Sequence, residues 1–176
     1  MQRVVMSALS AVVVAVLSQQ SVAQTGGAGE TRIGGAKGWD AYSYTEKGAK
    51  VCYLFGAPEK KEPANLSRGR VDVYVTHRPG EKSLNVVHFD AGYPYKDGST
   101  AELEIDKVKF QLFTAKDAAW ANDAAEDKAV TEALGKGHRA ILKGTSAKGA
   151  TTTDSYNLDG FKDALAAIDK ACGVKR

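Results

Sequence analysis

The sequence predicts a mainly β fold, an antiparallel β-sandwich with two short helical additions, and three observations carry that reading. Several segments alternate apolar and polar residues with a period of two, as a strand with one face in a core and one in water requires. Short turn-like stretches such as Arg78-Pro79-Gly80-Glu81 and Lys96-Asp97-Gly98 separate neighbouring segments. No strand-helix-strand repeat is present, which argues against a doubly wound parallel sheet.

Residues 1–23 read as a secretory signal. Arg3 is followed by an apolar stretch from Val4 to Leu17, a polar step at Ser18-Gln19-Gln20, and small residues at Ser21 and Ala23. Cleavage is expected after Ala23. The apolar run is shorter than the roughly 20 residues a membrane-spanning helix needs, and no later run matches it, so a mature chain without a transmembrane segment is expected. Residues 24–38 are rich in Gly, Ala, Thr and charge without apolar period, and are expected to form a flexible leader. Residues 39–176 are expected to form one domain, a length able to bury a single core.

Within that domain, strands are expected at Trp39 to Thr45, Val51 to Gly56, Val71 to His77, Leu84 to Ala91, Ala101 to Ile105 and Lys107 to Phe113. The clearest signal is Val71, Val73 and Val75 alternating with Asp72, Tyr74 and Thr76, echoed where Val87 and Phe89 alternate with His88 and Asp90. Asn122 or Asp123 is placed to cap a helix through Leu134, with Gly135 as its stop. A second helix is expected from Asp159 or Gly160, where Phe161, Leu165, Ile168 and Cys172 recur at helical spacing. Arg139 to Gly144 and Thr152 to Leu158 complete about eight strands.

Composition excludes some functions. A net charge of +3, with lysines and carboxylates interspersed along the chain, gives no basic patch for nucleic acid. Two isolated cysteines, Cys52 and Cys172, lack zinc or CxxC spacing, and an even count in an exported chain predicts a disulfide between them. The chain-entropy model assigns a loop of this length roughly 4 to 5 kcal/mol.

Enzymatic motifs break at their defining positions. Gly144 to Thr151 has the glycine spacing of a phosphate loop, but Ala150 stands where the lysine belongs. Gly144-Thr145-Ser146-Ala147-Lys148 departs from a nucleophile elbow at its last residue. No cofactor or catalytic residue is implied. His77, His88 and Asp90 are weak metal candidates on the premise that they face one another across a hairpin; they would serve a small metal-dependent or ligand-binding enzyme, the alternative to a binding protein. Tyr93, Tyr95 and Lys96, in a segment joining two strands, are the expected binding residues, because tyrosines beside a cation favour contact surfaces.

Several segments together resemble the invasion-associated locus B family, small exported proteins of Gram-negative bacteria. They are Val51-Cys52-Tyr53, Val75-Thr76-His77-Arg78-Pro79, Gly92-Tyr93-Pro94-Tyr95-Lys96-Asp97-Gly98-Ser99, Phe110-Gln111-Leu112-Phe113, Ala119-Trp120-Ala121, Lys143 to Gly149, and Asp154 to Phe161. The resemblance implies an immunoglobulin-like sandwich, residence in the periplasm or cell envelope or secretion beyond it, and no established enzymatic activity. It also implies an envelope or host-surface protein as partner, with a link to host-cell invasion in pathogens.

Overall fold

The computed structural model describes residues 29–176. The signal and its cleavage point at Ala23 lie outside the described residues. Eleven strands form: β1 (Thr31–Ala36), β2 (Trp39–Glu46), β3 (Ala49–Gly56), β4 (Lys60–Glu62), β5 (Asp72–Arg78), β6 (Ser83–Asp90), β7 (Thr100–Ile105), β8 (Val108–Ala115), β9 (Ala118–Trp120), β10 (Arg139–Thr145) and β11 (Thr151–Asn157). Two helices, α1 (Ala124–Lys136) and α2 (Phe161–Cys172), complete the fold. The mainly antiparallel β class with two helices is therefore what the chain adopts.

All eleven strands share one hydrogen-bonded order, β1-β2-β3-β5-β6-β9-β8-β7-β10-β11-β4. That sheet folds back on itself. Phe89 on β6 meets Tyr156 on β11 edge-to-face at 5.7 Å, and the Trp39 indole on β2 donates to the Asn157 carbonyl at 3.0 Å, although these strands are far apart in the order. The two halves thus face each other as layers, with Leu54, Val73, Val75, Val87 and Phe89 of one half and Leu103, Leu112, Leu142 and Tyr156 of the other buried between them. Alternation explains the burial, since these residues occupy the same phase of their strands.

The leader expected at residues 24–38 is corrected by β1, which pairs with β2 from Thr31 to Ala36. Its composition hides the strand because backbone pairing and close helix packing hold it, with little help from apolar side chains. A Cβ on Gly34 would lie 2.8 Å from the Ala167 Cβ on α2, so a glycine here lets the helix approach. The short strands β4 and β9 also escaped the periodicity, being only three residues each.

Asp123 caps α1, accepting from the Ala125 and Glu126 backbone N–H groups at 2.9 and 2.8 Å. Helix α1 covers a gap in the sheet. Because β9 pairs with β6 only from His88 to Asp90, the Val87 N–H is left without a strand partner and donates to the Asp127 carboxylate at 2.8 Å. The helix runs past the expected stop at Gly135 to Lys136, and Gly135 instead packs beside Leu165 of α2. Helix α2 lies over β1, β2 and β3, with Trp39 meeting Phe161 edge-to-face at 4.9 Å.

Candidate binding face

The outward phase of β2, β3, β5, β6 and β9 is aromatic where water-facing positions are ordinarily polar. Tyr42 and Tyr44 stand on β2, Tyr53 and Phe55 on β3, Tyr74 on β5, His88 on β6 and Trp120 on β9. Register brings them together: Tyr42 opposes Tyr53, Phe55 opposes Tyr74, Tyr74 opposes His88, and His88 opposes Trp120. Their rings form one continuous row. Tyr42 stacks on Tyr53 at 5.6 Å, Phe55 on Tyr74 at 5.7 Å, Tyr74 on His88 at 4.7 Å and His88 on Trp120 at 4.4 Å. Beyond Trp120, its register partner Phe113 on β8 is 43% exposed, one of the two large apolar residues most open to water among the described residues.

Cations and burial shape the row. The Arg70 guanidinium lies 5.0 Å from the Phe55 ring centre and 5.9 Å from that of Tyr74, in cation–π geometry. Clamped between two rings, His88 has a buried Nδ1 without a hydrogen-bond partner among the described residues. Burial, helped by the charge of Arg78, lowers its pKa to about 4, so it is a neutral ring at pH 7. Burial also raises the Tyr53 hydroxyl pKa, reinforced by the Glu30 carboxylate. The outer face of the opposite half is different in kind, carrying Glu102, Glu104 and Lys109 in exposed ion pairs.

Beside the row, one step along the same strands, lies a cleft of about 330 Å³ lined by Arg70, Asp90, Tyr93, Pro94, Lys116 and Asp117. That volume is at the lower end of small-ligand sites. Asp72 and Asp90 oppose each other across β5 and β6, and buried Asp72 pairs with Arg70. Burial holds both carboxyls above the usual range; nearby Asp117 pushes Asp90 further, while Arg70 works against the rise at Asp72.

The residues expected to bind are placed differently. Tyr95 is 4% exposed and belongs to the core, bridging to Ser146, which corrects its reading as an exposed contact. Tyr93 is half-buried, its hydroxyl 2.6 Å from Thr152 Oγ1, though it also lines the cleft; Lys96 is exposed. Tyr93 covers a buried ion pair, Arg68 with Asp154, formed by two hydrogen bonds of 2.7 and 2.6 Å, and Tyr95 packs edge-to-face on Tyr93. An apolar ring beside proline in a connecting segment carries no mark of which way it turns.

His77 does not join His88 and Asp90, whose Nε2 and Oδ1 atoms lie 3.9 Å apart. His77 sits in the inward phase of β5, wholly buried, whereas His88 and Asp90 point outward, because Tyr74 rather than His77 opposes His88. The His77 Nδ1 accepts from the Asn85 N–H at 2.9 Å, which assigns its proton to Nε2, donating to Asp169 at 2.9 Å. Arg176 donates to both Asp169 oxygens and to Asn85. Burial lowers the His77 pKa, partly countered by Asp169. This network ties α2 to the sheet beside the disulfide, where Cys52 and Cys172 are joined with a Cα separation of 6.0 Å. The expected bridge is present.

The row itself was missed because it crosses five strands. Each strand contributes one or two rings, and only the strand order shows that Tyr42, Tyr53, Phe55, Tyr74, His88 and Trp120 are neighbours. The signal lay in the outward phase, where aromatics replace the polar residues that alternation leads one to expect.

No curated protein and no solved structure matches the chain. A family profile does: that of the invasion associated locus B (IalB) protein matches residues 39–169. The match opens at Trp39, the first residue of β2, and closes at Asp169, the acceptor for His77. Spanning most of the sheet, the row of rings and the cleft, that match places the chain in the invasion associated locus B (IalB) protein family.

Proposed function

We propose that this is an exported, non-enzymatic binding protein of the periplasm or cell envelope, and that the aromatic row is its recognition surface. The single observation that carries the reading is the continuous line of stacked rings on the outer side of the sheet, partly exposed from Tyr53 to Trp120 and closed at its other end by buried Tyr42. Tyr, Trp and Arg are the residues that dominate binding energy in interfaces, and a row locked by mutual stacking loses little entropy on contact. The signal-like pattern of residues 1–23 supports export, and the IalB family is not a known enzyme family. The alternative reading as a metal-dependent enzyme relied on His77 joining His88 and Asp90, and His77 lies on the other side of the sheet from that pair. In a pathogen the same face would serve contact with a host surface, in keeping with the family name.

The test is a photo-crosslinking residue placed in living cells at Phe113, beside the row, and separately at Lys143 on the opposite outer face. Adducts with an envelope component from position 113 and none from position 143 are expected. Equal labelling from both positions, or none from 113, overturns the assignment.

A further inference from the structure

The geometry points to an uncharged, extended glycan as the ligand of the aromatic row and the cleft beside it. This rests on the row being the recognition face, and it names the chemistry that face selects. Charge decides first. Asp90 and Asp117 line the cleft, with buried Asp72 already paired to Arg70 behind them, so a polyanion such as nucleic acid or an acidic polysaccharide meets like charge there. Arg70 already occupies the cation position over Phe55 and Tyr74, and Lys116 lines the same cleft, so a cationic ligand is opposed as well.

A ligand that fits must bring both donors and acceptors without net charge. Sugar hydroxyls do this: they donate to the Asp90 and Asp117 carboxylates and accept from Arg70 and Lys116. A wholly apolar ligand would desolvate the same carboxylates with nothing in exchange. Periodicity agrees with charge. Strands about 4.8 Å apart each supply an aromatic side chain, so equivalent contacts recur along the row, which suits a polymer of repeating units. The stacked rings present their edges outward, apolar carbons for sugar C–H groups, while Tyr44, Tyr53 and Tyr74 carry hydroxyls on the same face.

The experiment uses the mature, disulfide-bonded protein with its indole N–H groups observed by NMR. Trp39 is 3% exposed and serves as internal control for Trp120. Neutral chitohexaose and cellohexaose are titrated alongside oligogalacturonate and oligolysine. A saturable shift of Trp120 but not Trp39 with a neutral oligosaccharide, weakened about tenfold in both Asp90→Asn and Asp117→Asn, is expected. Asp117 lies in a turn between strands and its substitution leaves the core intact, so loss of binding there cannot be ascribed to unfolding. No saturable shift with either neutral sugar, tighter binding of a charged probe, or unchanged affinity in both variants overturns the proposal. If position 113 still crosslinks a polypeptide while no sugar binds, the recognition face stands and the glycan assignment alone falls.

Discussion

His88 shows how one side chain links packing to pH. Its pKa is lowered from 6.5 to about 4 by burial between Tyr74 and Trp120, with Arg78 adding repulsion and Asp117 opposing the shift. Between those values the unfolded chain binds more protons than the folded one, so stability is complete above the unfolded value and falls as pH drops toward the folded value. Urea unfolding should show the wild type losing about 2 kcal/mol more than His88→Gln on going from neutral pH to about pH 5; parallel profiles would sink this account. Arg68 presents the opposite balance. Burial works against its charge, but hydrogen bonding and the charge of Asp154 outweigh it, and both side chains are almost fully buried. Arg68→Met strands the Asp154 carboxylate and should cost about 3 to 5 kcal/mol, read from the shift in denaturation midpoint.

Among the elements, α2 is the most constrained, held by the Cys52–Cys172 bridge, the His77–Asp169–Arg176 network and Phe161 against Trp39. Replacing both cysteines by alanine should lower stability by up to about 5 kcal/mol, with amide exchange rising first in α2. Uniform acceleration across the sheet would contradict a helix-specific role. Helices and long strands were legible in the sequence because caps and alternation are local signals, as Asp123 and the run Val71 to Val75 show. The edge strand β1 was not, since Gly34 read as leader and the reason for it, the approach of α2, lies over 130 positions away in the chain. A chain beginning at Lys37 should still fold, because the family match opens at Trp39, but with a loss on the order of 2 kcal/mol in urea unfolding. Undiminished stability would mean that β1 contributes nothing.

At the scale of the molecule, the sheet has one chemically distinct outer face on each half. The aromatic half was invisible to a residue-by-residue reading, whereas the family could be argued from local segments. His77 and His88 show why: both stand on adjacent strands, yet one residue of phase sends them to opposite sides of the sheet. The disulfide spans a sequence separation of 120, and Trp39 near the start of the sheet packs on Phe161 near its end. Contacts of such long range slow folding, because loop closure must precede the packing that rewards it. The core therefore cannot close until residues 161–172 are available to it. If the chain is exported as proposed, it would cross a narrow membrane pore still open for nearly its whole passage and tie its last helix down only on arrival, where an oxidising compartment makes the arrangement lasting.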